Sequence, residues 1–232
     1  GQFVMVWMPG VGEKPMSISS DTGNEFSITV CAVGPFSKSL QKLKPGEVVG
    51  IKGPLGTHFH IKGNNIALVG GGYGAGPMAY IAEKASKQGF KQENIHYCLG
   101  ARNEKLLLFE KRTQAIATHH IATDDGSKGT KGLVTDVLKE AINQHNIDMI
   151  YYCGPELMEK AIFDIAVEKN IDCEISIERY MKCGIGICGS CCVDPTGWRM
   201  CVEGPVLNKE QTSKIEEFGK YHRDATGRKV EF

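Results

Sequence analysis

Apolar and polar positions along the chain follow two different rhythms. From residue 1 to about 62 the runs are short, β-branched or alternating, and punctuated by Gly, Pro and Asn: GQFVMVWMP, KPMSISS, EFSITVCAV, EVVGIKGP and HFHI. Runs of this kind bounded by turn residues predict strands, and their close succession predicts an antiparallel barrel or sandwich. The chain opens on Gly1 inside a strand-like run. The first strand of the barrel is therefore expected to be missing, with one edge open.

Beyond Asn64 strands alternate with helices, in the order NIALVGG, PMAYIAEKASKQG, NIHYCLGA, KLLLFEK, IATDD, VTDVLKEAINQH, DMIYYCGP and ELMEKAIFDIAVEKN. Alternation of this kind predicts a doubly wound parallel α/β domain, here over residues 63–170, with ligand loops at the carboxyl ends of the strands. Residues 171–232 follow with a strand, EISIE, a cysteine-rich loop and a polar tail, GKYHRDATGRKVEF. No long linker, repeat or low-complexity tract interrupts this order.

Composition narrows the partners. Of 232 residues, 27 are basic and 27 acidic, so no global field favours nucleic acid or an anionic membrane. No apolar run reaches the length of a membrane span, and the first residues do not read as a signal peptide. A cytoplasmic protein is expected, and in a reducing compartment clustered cysteines point to metal or redox chemistry.

Within IALVGGGYGAGPMAY, glycines 70, 71, 72, 74 and 76 join an apolar strand to a helix predicted to begin near Pro77. Such a turn lets backbone approach a pyrophosphate, with the helix N-terminus offering free amides. Gly70, Gly72 and Ala75 fit G-x-G-x-x-A, a weak pattern alone. Cys153, Gly154 and Pro155 close a second strand before another helix, and Asp124 and Asp125 follow a third. Carboxylates there accept ribose hydroxyls and repel a 2′-phosphate, which favours NAD over NADP. Lys128, Lys131 and Arg102 stand close enough in sequence to alter that balance.

Five of the nine cysteines fall within the 21 residues from Met181 to Cys201. Cys183, Cys188 and Cys191 have the C-x4-C-x2-C spacing of plant-type [2Fe-2S] ligands, and Cys201 offers a fourth thiolate. Glycines 184, 186 and 189 let the loop wrap a cluster and turn amides towards its sulfurs. Zinc is the competing metal, but its structural sites favour paired C-x2-4-C knuckles. Cys192 is left out of the ligand set, and Cys31, Cys98 and Cys173 read as small core residues. In the first segment Lys14 is placed to meet a phosphate as a point charge, with Ser17 donating a hydroxyl. His58, His60, His119 and His120 show no ligand spacing with neighbouring carboxylates or thiols and receive no catalytic part.

These pieces together, over nearly the whole chain, resemble the ferredoxin reductase superfamily, and within it the electron-transfer subunits of type B dihydroorotate dehydrogenases. The resemblance rests on Lys14-Pro15-Met16-Ser17 in place of an R-P-x-S motif, GGGYGAGPM, Cys153-Gly154-Pro155 and the four cysteines, in that order. GPLGTHF, DDGSKGTKGLVTDVL and the tail are also similar. The resemblance implies FAD on the first domain, its phosphate near Lys14 and Ser17, with Val30, Cys31, Ala32, Val33, Phe36 and Ser37 lining it. Lys14 lacks the bidentate fork of the usual arginine. The nine residues between Cys191 and Cys201 also make a tighter loop than in many relatives.

The implied activity is a relay between the FMN of a separate dihydroorotate-oxidising subunit and NAD+, through the cluster and FAD, in pyrimidine biosynthesis. The partner implied is that FMN subunit, in a hetero-oligomer with two copies of each chain. This chain then supplies no substrate base. Ile185, Ile187 and Trp198 are candidates for the contact, or for roofing the cluster. Two other readings stand beside it: a subunit feeding NAD(P)H electrons to ferredoxin or a hydrogenase, and a nonenzymatic metal-binding sensor of redox state or nucleotide.

Overall fold

The computed structural model describes residues 1–232. Its first strand, β1 (Phe3–Met8), is buried on both faces apart from Trp7. Phe3 and Met5 enter the main apolar core, whereas Val4, Val6 and Met8 meet Phe36 in a small second one. Successive strand side chains point to opposite faces, so this one strand joins two cores. β2 (Gly12–Asp21), β3 (Phe26–Ile28), the short helix α1 (Pro35–Leu40) and β4 (Gly50–Leu55) complete an antiparallel sheet in the order β3-β2-β1-β4. β3 and β4 are its edges, so the barrel-type sheet is open between them.

Two stretches expected as strands are not. Residues 30–33 lie outside the sheet, with the Val33 amide donating to the Cys31 carbonyl (2.9 Å) and the Val33 and Gly34 amides donating to Ser37 Oγ. HFHI is drawn off by later parts of the chain. Thr57 N donates to the Gly204 carbonyl (2.7 Å) and His60 N to Glu174 (2.8 Å).

The larger sheet begins at β5 (Ile66–Gly71), whose six residues are all buried, as expected of a parallel strand covered on both sides. Ile66 and Leu68 pack under α2 (Ala75–Lys87) on one face, while Ala67 and Val69 face α4 (Val134–Gln144) and α5 (Glu156–Glu168). Full burial of one such aliphatic side chain contributes about 1.5–3 kcal/mol. β6 (Ile95–Ala101), β7 (Thr118–Thr123), the two-residue β8 (Thr130–Lys131) and β9 (Met149–Cys153) run parallel to it. KLLLFEK, which holds a helix position in the predicted alternation, is helical only in short turns. It ends in the single turn α3 (Glu110–Thr113), with Leu107, Leu108 and Phe109 partly buried against the α2 side of the core.

Two more strands come from beyond residue 170. β10 (Asp172–Ser176) pairs in parallel with β9, and β13 (Val206–Asn208) pairs antiparallel with β10, giving the order β13-β10-β9-β5-β6-β7-β8. Between them the hairpin β11 (Cys192–Val193) and β12 (Trp198–Arg199) projects, and after β13 come α6 (Lys209–Ser213) and a last hairpin, β14 (Tyr221–Arg223) with β15 (Lys229–Glu231). The tail is tied down: Tyr221 Oη and Arg223 Nη2 donate to Asp194 at 3.0 and 2.7 Å.

A buried ion triad fixes this C-terminal segment to the sheet. Arg179 Nη1 donates to Glu156 at 2.5 Å and Arg179 Nε to Glu217 at 2.7 Å, with the three side chains 0–6% exposed. The remaining carboxylate oxygens accept the amides of Gly219 (2.9 Å) and Asp194 (3.0 Å). Removing one member of such a set strands the others in low dielectric, which costs about 3–5 kcal/mol. Arg179→Met is therefore expected to lower the unfolding free energy by about that much in urea titrations, whereas Glu156→Gln/Arg179→Met/Glu217→Gln recovers most of the loss. Equal losses in both variants would contradict this account.

Candidate functional site

The cysteine loop leaves the triad at Arg179 and returns through the β11–β12 hairpin. Gly184 and Gly186 adopt left-handed φ values of 69° and 79°, which glycine reaches without strain. A side chain at Gly184 would strike Met5 Cγ at 2.7 Å, so the loop lies against β1 with no room to spare. The Met200 amide donates to the Cys191 carbonyl (3.1 Å), closing the hairpin that brings Cys191 and Cys201 together.

All nine cysteines are free thiols. Backbone amides aim at two of the expected ligands: Gly186 N at Cys201 Sγ (3.2 Å), and Ile187 and Cys188 N at Cys183 Sγ (3.4 and 3.5 Å). Burial pushes the Cys183 thiol up, but amide hydrogen bonds from Cys188, Ile185 and Ile187 outweigh it and bring the pKa down to about 6. Cys188 is lowered by the Ser190 side chain and amide. Cys191 is pushed up to about 12, chiefly by burial. Cys192 is also raised by burial, which keeps it a neutral thiol. Four sulfurs on one glycine-rich loop, with amides turned towards them, fit an anionic iron-sulfur core. Ile185 and Ile187 stand out from the loop, 48% and 79% exposed. Trp198 instead packs against the main core.

The nucleotide motifs meet although some 80 positions separate them. A Cβ on Gly74 would lie 2.2 Å from the Cys153 carbonyl, and one on Gly71 would meet Met158 and Pro155. Gly70 packs on Ala75, and Gly76 on Ser19 and Thr29 of the first sheet region. Four of the five glycines thus permit contact with the chain itself. Gly72 alone faces open space, at φ 55°. Asp124 and Asp125 sit exposed in the turn after β7, Asp125 held below the usual carboxylate range by Ser127. Lys128 does not oppose them, because its ammonium is engaged by Glu110 at 2.8 Å.

On the first sheet Lys14 lies opposite Val6 and Ser17 opposite Phe3, and the Lys14 ammonium rests 4.8 Å from the centre of the Tyr180 ring. Pro15 and Met16 are half-buried between them. Phe36 and Ser37 are buried, so they support the neighbouring segment from beneath, with Gln41 Nε2 donating to the Val30 carbonyl (2.7 Å). Cys31 and Ala32 are exposed, and Val33 is 78% exposed. Cys31 is thus a surface residue and not the core residue expected, because residues 30–33 do not join the sheet. Tyr73 marks where the sites converge: its phenol is raised by burial, then by Glu178, which its hydroxyl contacts at 3.1 Å, and by Cys153 and Cys31.

Residues 178–213 match the family described as the iron-sulfur cluster binding domain of dihydroorotate dehydrogenase B, and residues 68–164 match the oxidoreductase NAD-binding domain. A probable electron transfer subunit of dihydroorotate dehydrogenase B (NAD(+)) from Methanocaldococcus jannaschii is 47% identical over 99% of this chain and 87% of its own length. The chain belongs to that electron-transfer subunit family. A relative of the same description from Methanocella arvoryzae is 44% identical over 99% of this chain and 86% of its own. A solved chain of the NADH-dependent reduced ferredoxin-NADP oxidoreductase superposes with a TM-score of 0.82 at 30% identity, covering 91% of this chain and 78% of that one. No helix is long and apolar enough to cross a membrane.

For a subunit of this family, one contact beneath the nucleotide site escaped the sequence reading. Glu159 is fully buried, accepts the Gly154 amide at 3.0 Å, and has its second oxygen unpartnered. Burial raises it well above its ordinary 4.5 despite that amide. Only its place one turn into the helix after Cys153-Gly154-Pro155 hints at the role.

Two outcomes follow. Because the folded protein keeps the Glu159 proton that the unfolded chain loses above 4.5, stability falls as pH rises through that range. Glu159→Gln should gain on the parent protein progressively as pH rises above about 4.5 in urea midpoints, and a constant difference would refute this. In metal-free protein, iodoacetamide should modify Cys183 with a half-maximal rate near pH 6 and leave Cys191 unmodified at neutral pH, read by peptide mass spectrometry.

Proposed function

We propose that this chain carries electrons between the FMN of a dihydroorotate-oxidising partner subunit and NAD+, in pyrimidine biosynthesis. NAD exchanges a hydride, a [2Fe-2S] cluster passes single electrons, and FAD exchanges either, so FAD belongs between the other two. The observation that carries the reading is the convergence of three sets of residues around β1, Tyr73 and the cysteine loop.

Each set has a task. Cys183, Cys188, Cys191 and Cys201 hold the irons, and the amides of Gly186, Ile187 and Cys188 offset the thiolate charge. Lys14 and Ser17 take the flavin phosphates, while Cys31, Ala32 and Val33 give an exposed apolar edge for the ring system. Gly72 and the first turn of α2 hold the NAD pyrophosphate, with Asp124 and Asp125 accepting ribose hydroxyls. Residues 1–62, 63–170 and 171–232 thus act as flavin, nucleotide and cluster units.

Ile185 and Ile187 form the apolar tip against which the partner closes, in an assembly with two copies of each chain. We also place the protein in the cytoplasm, where its cysteines stay reduced and available to iron. The likeness to a ferredoxin-NADP oxidoreductase chain supports a second reading, delivery to a ferredoxin-type partner. Co-purification separates the two: an FMN subunit that binds orotate supports the first, and a partner with several iron-sulfur centres supports the second.

Anaerobically purified protein is expected to hold one FAD and about two irons with two labile sulfides. One zinc and no sulfide would reject the cluster assignment. Cys188→Ser should lose most of its iron and its transfer to the partner while retaining FAD and NADH-driven flavin reduction. Transfer at the unmodified rate would place the cluster off the route.

A further inference from the structure

Three of the seven histidines meet at the end of the large sheet opposite the nucleotide loops. His96 is the second residue of β6 and His120 the third of β7, and both lie at the opening ends of these parallel strands. α4 runs back along the sheet and delivers His145 just after its last residue. One ring nitrogen from each lies within 4.8 Å of the others. His96 Nδ1 and His120 Nε2 are 3.1 Å apart, and the His96 and His145 rings are centred 4.1 Å apart.

Several features set this group apart from ordinary core histidines. His96 is 1% exposed, yet its Nε2 has no hydrogen-bond partner. The charges acting on His96 are those of His145 and His120, and those acting on His120 are His145 and His119. No carboxylate belongs to the group. Neutral imidazoles are the commonest protein ligands for transition metals. Tetrahedral zinc with bonds of about 2.0–2.1 Å needs nitrogens about 3.4 Å apart, within the observed spread.

We propose that His96, His120 and His145 form a three-imidazole site for a divalent transition-metal ion, zinc above all, separate from the iron-sulfur loop. His120 and His145 are only half-buried, which gives the ion an entry path and leaves water as a fourth ligand. The bound ion cross-links β6, β7 and the end of α4. Zinc is preferred to iron because a set of neutral nitrogens with no carboxylate lacks the facial triad of iron(II) sites.

The full-length protein, with FAD and cluster in place, is treated anaerobically with EDTA and titrated with Zn2+. One zinc per chain should bind and raise the thermal midpoint. Zinc-edge X-ray absorption should show a nitrogen and oxygen shell at about 2.0 Å with no sulfur shell at about 2.3 Å. His120→Ala and His145→Asn should each weaken binding by about 100-fold or more, since loss of a mere supporting contact costs 10–100-fold, with flavin and iron contents unchanged as the control for folding. A sulfur shell, failure of the parent protein to bind zinc, or affinity in both variants equal to that of the parent would overturn the proposal.

Discussion

A guanidinium held out of water between two carboxylates fixes where everything else can be. Placing Arg179, Glu156 and Glu217 in an interior is costly, and a well-packed apolar replacement is often as stable. What the triad supplies is geometry. Glu156 opens α5, directly after the Cys153-Gly154-Pro155 strand end, and Arg179 lies four residues before Cys183. Glu217 accepts the Asp194 amide (3.0 Å) at the hairpin, and Glu156 accepts the Gly219 amide (2.9 Å) in the tail. One set of directional bonds therefore holds the nucleotide strand end, both limbs of the cysteine loop and the tail in a single register.

Electron transfer benefits from that rigidity because it depends on fixed separation and not on a moving catalytic group. The same logic explains why β1 is buried on both faces. Met5 touches the loop at Gly184, while its neighbours Val4 and Val6 build the small core under α1 that supports residues 30–33. The first sheet is thus joined to the cluster segment through a buried strand, and to the nucleotide domain through Gly76 against Ser19 and Thr29.

What the sequence made legible was local. Fully apolar runs such as IALVGG, the helices behind them and the cysteine spacing depend on neighbours within a few residues, and each appears where expected. Residues 30–33 and HFHI carry strand-like composition but lose to longer-range bonds, to Ser37 in one case and to Gly204 and Glu174 in the other. EISIE is legible as a strand, but its place in the large sheet as β10 and the strand β13 were hidden for the same reason, since sheet membership belongs to a strand's partners. The Arg179 triad, buried Glu159 and the three histidines are each assembled from separate elements, so no spacing rule finds them. The glycine turn is an intermediate case. Its sequence reads as a ligand cradle, yet four of its five glycines are required by contact with the chain, and only Gly72 is left open.

The unequal acidity of the thiols gives the cysteine loop a direction. Cys183 and Cys188, lowered in pKa by amides and by Ser190, lie on the outer limb beside exposed Ile185 and Ile187. Cys191 and Cys201 are 2% exposed and belong to the same apolar cluster as Phe3 and Met5 of the first sheet. The four thiols that would hold a cluster thus divide into an outer pair beside exposed isoleucines and an inner pair backed by the protein core. An iron-sulfur group there would supply one-electron transfer. The buried limb is pinned by the β11–β12 hairpin and the Arg179 triad, so the limb carrying Cys188 and Ile187 is the one left facing solvent.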